Sequence, residues 1–156
     1  MDRTPVRILD LGGTVEYWHR VGIEFLRNAS VHVTVLNYVA SEAQRGDASD
    51  QTMFATAVGD ACDLAQFADG SFDLVHSNSV VEHVGNWSRM KSFAAETRRV
   101  GRSYYVQTPY FWFPIDPHYY GAPMIHWMPR PWQARILKAF PVAHCGRSTS
   151  LDNSYD

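Results

Sequence analysis

The sequence has little of what defines several common classes of protein. It contains only two cysteines, Cys62 and Cys145, which lie far apart and form no Cys-x-x-Cys pair. That scarcity argues against a zinc knuckle and against a disulfide scaffold, and it favours a reducing compartment. The formal net charge of −2 gives no electrostatic reason to expect binding of nucleic acid or of an anionic membrane surface.

Long apolar runs are also absent. No stretch is long enough to span a bilayer, and residues 1–5 lead directly into an apolar strand, so no signal peptide fits there. We therefore expect a cytoplasmic protein with no membrane insertion. Several histidines lack tight ligand spacing and carboxylate neighbours, so we expect no metal site at His76, His83, His118 or His126.

The first two thirds of the chain alternate between short apolar runs and segments of helical periodicity. The runs predict five strands: Val6 to Leu11, Val31 to Leu36, Phe54 to Val58, Phe72 to His76 and Ser103 to Gln107. The helical segments run from Val15 to Asn28 and from a cap at Asn86 to a stop at Gly101. Their predicted buried faces hold Val15, Trp18, Gly22, Phe25 and Leu26 in the first, and Trp87, Met90, Phe93, Ala94, Thr97 and Val100 in the second. Strands separated by helices predict right-handed crossovers and a parallel α/β sheet.

The composition changes after residue 108. Seven of the eight prolines lie between Pro109 and Pro141, interleaved with aromatic residues. We predict a core domain over 1–108 and a segment over 109–145 that ends in one helix, roughly Trp132 to Phe140. This segment would be a substrate lid or a flap that covers the core, and the two are equally favoured. Residues 146–156 are expected to be a disordered tail.

Polar residues follow the predicted strands at their carboxyl ends. Asp10 precedes a tight Gly12-Gly13-Thr14 turn, Asn37 follows the second strand, and Asp60 follows the third. Ser77 and Asn78 come after the fourth. Strands that end in small polar turns with an acid at the tip are typical of the edge at which an open α/β sheet binds its ligand.

These segments resemble the class I S-adenosylmethionine-dependent methyltransferases. Asp10-Leu-Gly-Gly-Thr14 is similar to the glycine-rich first motif and Gly59-Asp-Ala61 to the adenine-binding motif. Phe72-Asp-Leu-Val75 with Val81-Glu-His83 is similar to the fourth-strand motif. The resemblance covers Val6 to Thr108 and implies a Rossmann-like open parallel sheet of order 3-2-1-4-5 with helices on both faces. It also implies a transferase that uses S-adenosylmethionine and acts on a small-molecule substrate.

The resemblance assigns a role to each polar group. Asp10, Gly12, Gly13 and Thr14 are assigned to the cofactor site. The amides of Gly12, Gly13 and Thr14 suit the carboxylate of the cofactor, because they lie at a helix start. Asn37 would bind the ribose. Three more sets complete the site: Asp60 for the adenine amino group, Ala61 for the ring, and Ser77 with Asn78 for the methionine portion.

The chain departs from the family pattern at two points. Thr14 and Glu16 occupy the later glycine positions of the first motif. Asn37 stands where the family usually has an acid, and an amide binds a diol without charge assistance. We therefore expect cofactor binding with reduced affinity.

A general base is needed only when the methyl acceptor must lose a proton, because methyl transfer is an in-line displacement that relies on alignment. His83 is the first candidate, since it follows the fourth strand, and His118 is the second, with Asp116 close enough to orient it. Glu82 and His83 also suit the plainer role of helix-start and packing residues.

The segments after the fifth strand show no clear strand alternation, so we expect the carboxyl-terminal antiparallel hairpin of the family, its last two strands, to be absent. The fifth strand would then be a sheet edge through which the chain forms a homo-oligomer, unless the proline-rich segment folds across it. A non-catalytic binding module of the same fold is the main alternative function. A nicotinamide-dependent oxidoreductase is disfavoured, because Gly-x-Gly-x-x-Gly and an acid at Asn37 are both missing.

Overall fold

The computed structural model describes residues 4–39 and 52–110, and beyond them only 124, 127–129, 131–132 and 135. Five strands and two helices are present in these ranges. The strands are β1 Val6–Leu11, β2 Val31–Asn37, β3 Phe54–Val58, β4 Phe72–Asn78 and β5 Gly101–Gln107. The helices are α1 Val15–Asn28 and α2 Trp87–Val100, and a short 3₁₀ turn spans Val81–His83.

The strands form one sheet of order β3-β2-β1-β4-β5, and every neighbouring pair is parallel. The predicted α/β class, strand order and Rossmann-like architecture are confirmed. The register sets Leu11 beside Leu36 and Asn37 beside Val58, so the carboxyl ends of the strands meet at one edge. That edge carries the polar residues that follow the strands.

The apolar residues form two buried clusters. One cluster includes Ile8 and Val35 together with Trp18 and Leu26 of α1, and the other includes Leu9 and Phe93 with further residues of β1, β4 and α2. Successive strand residues point to opposite faces, so adjacent Ile8 and Leu9 belong to different clusters. The sheet is therefore covered by apolar packing on both faces.

Helix α1 begins at its cap residue Thr14, whose hydroxyl oxygen accepts a hydrogen bond from the Tyr17 amide at 3.3 Å. Gly22 has φ of +119°, outside helical geometry, and kinks the helix. The kink changes the phase of the residues after it. The prediction that Phe25 shares the buried face is wrong, because its side chain is 66% exposed.

Helix α2 begins at Asn86, whose side chain accepts from the Arg89 amide at 3.1 Å, and ends at Gly101, as predicted. Phe93, Thr97 and Val100 are buried as expected. Trp87 and Ala94 were predicted on the same face but are exposed, Trp87 to 69%.

Three strands are longer than predicted, and one of them, β5, begins at Gly101 instead of Ser103. β2 includes Asn37. β4 continues through Ser77 and Asn78, because Ser77 and Asn78 pair with β5.

Contacts along the chain divide it into two units, Met1–Thr108 and Pro109–Asp156. The predicted helix near Trp132, the tail, His118 and any further hairpin fall largely or wholly outside the described residues. Within the described part, no helix has both the length and the apolar character needed to cross a membrane.

Candidate functional site

A cavity of about 470 Å³ lies at the carboxyl edge of the sheet. Its walls come from the turn after β1, the ends of β2 and β3, the 3₁₀ turn and the start of α2. The lining residues are Gly12, Leu36, Asn37, Tyr38, Gly59, Asp60, Ala61, Ser79, Val80, His83, Val84 and Arg89.

The turn after β1 requires glycine for two separate reasons. Gly12 has φ of +73°, and a Cβ placed there would lie 2.5 Å from Val80 Cγ2. A Cβ on Gly13 would lie 1.7 Å from Oδ2 of Asp10. The Gly12 amide donates to the Leu36 carbonyl at 2.8 Å, so among the three amides predicted to bind a carboxylate, this one already has a partner. The predicted role therefore rests on Gly13 and Thr14.

Asp10 lies beneath this turn and does not line the cavity. Its side chain is buried, and Oδ2 accepts a hydrogen bond from Trp18 Nε1 at 2.7 Å. Oδ1 lies 2.7 Å from His76 Nδ1, and His76 Nε2 lies 3.4 Å from the Tyr17 hydroxyl. Asp10 thus anchors β1 to α1 and β4, and it supports the glycine turn from below.

Asn37 lines the cavity and is nearly buried. Its Nδ2 donates to the Gly13 carbonyl at 2.8 Å, which ties the end of β2 to the turn after β1. A carboxylate at this position could not make that bond, because it has no hydrogen to donate. The amide therefore holds the turn in place.

Asp60 lines the cavity beside Ala61 and is held by two neighbours. Its Oδ1 accepts from the Cys62 amide at 2.8 Å, and Nη2 of Arg89 donates to Oδ1 at 2.7 Å and to Oδ2 at 2.6 Å. The Arg89 guanidinium lowers the pKa of the Asp60 carboxyl below its ordinary value, outweighing the opposite effect of burial.

His83 ends the 3₁₀ turn and lines the cavity, and its amide donates to the Val80 carbonyl at 2.8 Å. Ser77 is fully buried, and its hydroxyl donates to the Leu11 carbonyl at 3.3 Å. Asn78 is exposed at the end of β4, and neither residue lines the cavity. Thr14 caps α1, and His118 lies outside the described residues.

The cavity therefore brings together five of the predicted site residues and leaves five others outside its lining. Inside are Gly12, Asn37, Asp60, Ala61 and His83; outside are Asp10, Gly13, Thr14, Ser77 and Asn78. In the ranges that the structure describes, no group of three or more His, Cys, Asp or Glu residues could hold a metal ion.

Sequence reasoning missed two residues that the structure makes prominent. Arg89 is 29 residues from its partner Asp60, and no local pattern links them. His76 pairs with Asp10, and here a signal existed: Asp10 is the next-to-last residue of the first predicted strand, and His76 is the last residue of the fourth.

A family model described as a methyltransferase domain matches residues 10–103. This range includes the turn after β1, the ends of β2 and β3, and all of α2. Comparison with curated protein sequences gives no match.

Several solved structures share the fold. A Haloferax volcanii protein in complex with the Trm112 methyltransferase activator is 23% identical, with a TM-score of 0.53, over 67% of this chain and 47% of that one. A Pyrococcus horikoshii protein is 22% identical, with a TM-score of 0.51, over 66% and 50%. An Anabaena variabilis protein, assigned to an antibiotic biosynthesis pathway as a methyltransferase, is 16% identical, with a TM-score of 0.55, over 88% and 55%. At these identities the likeness shows the fold alone, and the chain spans about half the length of these structures.

Proposed function

The chain belongs to the family of methyltransferase domains, and we propose that it transfers a methyl group from S-adenosylmethionine to a small-molecule acceptor. The observation that carries the proposal is the cavity at the carboxyl edge of the sheet, where one carboxylate, one amide and a glycine turn converge from three strands. Open parallel sheets bind their ligands at this edge.

The residues of the cavity fit the chemistry of this cofactor. A volume of about 470 Å³ is within the usual range for small-molecule sites. Asp60 offers an acceptor for the adenine amino group, and Ala61 a small apolar surface for the ring. Asn37 Oδ1 can accept from the ribose, and the absence of a side chain on Gly12 keeps the wall near Val80 open.

The bound cofactor would supply an electrophilic methyl group on a sulfonium whose leaving group departs uncharged. The protein's contribution is then to hold the reactants in line and to exclude water. His83 lines the cavity, and we assign to it the role of accepting a proton from a substrate that must lose one. Some predicted site residues do not line the cavity, and His118 lies outside the described residues. For these, Gly13, Thr14, Ser77, Asn78 and His118, contacts to the cofactor or acceptor remain proposals.

A binding module without catalysis is the second candidate function. One observation favours it: Thr14 stands where the glycine-rich first motif of the family usually has a glycine. A module of this kind would bind the cofactor and transfer no methyl group.

Thermal denaturation with S-adenosylmethionine, S-adenosylhomocysteine and NAD tests the proposal. Ligands that bind only the folded state raise the midpoint as their concentration rises. We expect this for the first two and no change with NAD. Absence of any shift with S-adenosylhomocysteine would refute the proposed cofactor.

A screen of small-molecule acceptors with methyl-labelled cofactor then separates the two candidates. Labelled product supports the transferase, and cofactor binding with no product across the screen supports the module.

Two further elements belong to the proposal. One is self-association through the β5 edge, and the other is a reducing, cytoplasmic location, which the free thiol of buried Cys62 supports.

A further inference from the structure

Arg89 joins three segments that form the walls of the cavity. Its guanidinium donates from Nε to the Val84 carbonyl at 2.9 Å and from Nη2 to both oxygens of Asp60. Its own carbonyl lies 3.3 Å from Sγ of Cys62. One residue of α2 thus connects the loop after β3 with the segment after the 3₁₀ turn.

The hydrogen bonds to Asp60 leave one acceptor site unused. Each oxygen of a carboxylate offers about two lone-pair sites. Oδ1 accepts from Cys62 and Arg89, whereas Oδ2 accepts from Arg89 alone among the described residues. The Asp60 side chain is 30% exposed and lines the cavity, so a ligand can reach it.

We propose that Arg89 is a positioning residue that fixes the Asp60 carboxylate so that the remaining acceptor site on Oδ2 receives the amino group of an adenine. The inference rests on the proposed function, because it assumes that the cavity binds S-adenosylmethionine.

A second consequence concerns pH. Arg89 lowers the pKa of the Asp60 carboxyl, so the acceptor stays ionised in weak acid. The other titratable groups around Asp60 come from every neighbouring element: Tyr38 after β2, His83 of the 3₁₀ turn, and Cys62 and Asp63 of its own loop. Only Arg89 is a permanent cation among them. Without Arg89, the Asp60 carboxyl should become protonated at a higher pH. Its oxygen would then stop accepting from the adenine at that higher pH.

Calorimetric titration with S-adenosylhomocysteine tests the role directly. We expect Arg89→Ala to weaken affinity about five- to tenfold at neutral pH, the size of one well-placed hydrogen bond. We also expect the pH at which affinity falls by half to move upward. Arg89→Lys should recover part of the affinity, because a lysine still donates to the carboxylate. Arg98→Ala, on the exposed side of the same helix, is the matched control and should leave both values unchanged.

A double-mutant cycle shows whether Arg89 acts through Asp60. If it does, the double variant Asp60→Ala, Arg89→Ala should bind no more weakly than Asp60→Ala alone. Additive losses, or unchanged affinity and pH profile in a folded Arg89→Ala protein, would overturn the positioning role while leaving the proposed function standing. If the wild-type protein itself fails to bind, the proposed function falls, and the positioning role falls with it.

Discussion

His76 Nδ1 lies 2.7 Å from Oδ1 of Asp10, across the adjacent strands β4 and β1, and both side chains are buried. The resemblance to methyltransferases implied a place for Asp10 in the cofactor site. The structure gives this carboxyl three protein neighbours below that site, in His76, Trp18 and Gly13. Asp10 is therefore a support for the turn that borders the cavity.

We expect His76→Ala to destabilise the fold strongly. The substitution leaves a buried carboxyl without one of its two hydrogen-bond partners and opens space between Tyr17 and Tyr105, whose rings both stack on the imidazole. Loss of a buried partner of this kind costs about 3 kcal/mol. Urea denaturation measures it, and His32→Ala, at an exposed position on β2, should change the free energy of unfolding by less than about 0.5 kcal/mol. Equal effects at both positions would contradict the structural role.

We expect Asp60→Ala to weaken cofactor binding without unfolding the protein. A carboxylate that makes one hydrogen bond to the adenine contributes about 1–2 kcal/mol, or roughly a five- to thirtyfold change in affinity. Calorimetry with S-adenosylhomocysteine measures the change, with circular dichroism as the check on folding. Unchanged affinity in a folded variant would remove Asp60 from the site.

The pair formed by Glu96 and Arg99 predicts a pH dependence of stability. Glu96 accepts from Arg99 and from the Leu64 amide, and the hydrogen bond to Arg99 is the main reason that its pKa is lowered. Its stabilising effect is complete above the unfolded-state pKa and is lost as the pH falls through the lower folded-state pKa. Stability should therefore decline from roughly pH 5 downward, and less steeply in Glu96→Gln.

Chemical denaturation at a series of pH values between neutral and about pH 3 measures that slope. Glu24→Gln is the matched control, because Glu24 is an exposed carboxylate on α1 whose pair with Arg27 is solvent-accessible. A slope that changes as much in Glu24→Gln as in Glu96→Gln would assign the effect to net charge and not to the Glu96–Arg99 pair.

If the outer edge of β5 is covered, its backbone amides should exchange slowly with deuterium. Within the described residues β5 pairs only with β4, and Tyr104 and Tyr105 are 60% and 55% exposed. Open edges of this composition favour pairing with another chain. Neighbouring amides of a strand point to opposite sides, so one of the Tyr105 and Val106 amides faces β4 and the other faces the outer edge. We expect the outward amide to be protected as well, together with a sedimentation coefficient above that of a monomer. Rapid exchange of the outward amide in a protein that sediments as a monomer would show that the edge is open.

The strands could be predicted from sequence because β-branched runs and glycine turns are local signals, and their order was implied by the resemblance to the methyltransferases. The bounds of β1 and β3 match those predictions, and so does the end of α2 at Gly101. The side-chain partners could not be predicted in the same way. His76 and Asp10 are 66 residues apart, and Arg89 and Asp60 are 29 apart, so these pairs exist only after the sheet has formed. The exposure of Phe25 depended on the kink at Gly22, which periodicity alone does not reveal.

The hydrogen bond from Asn37 to the Gly13 carbonyl ties one departure from the family pattern to the turn that contains another, Thr14. The turn is held by a side-chain donor from the neighbouring strand, which an amide can supply and a carboxylate cannot. Asn37→Asp, which would restore the usual acid at the ribose position, would set a carboxylate against a carbonyl oxygen at the mouth of the cavity. We therefore expect Asn37→Asp alone to loosen the Gly12-Gly13-Thr14 turn.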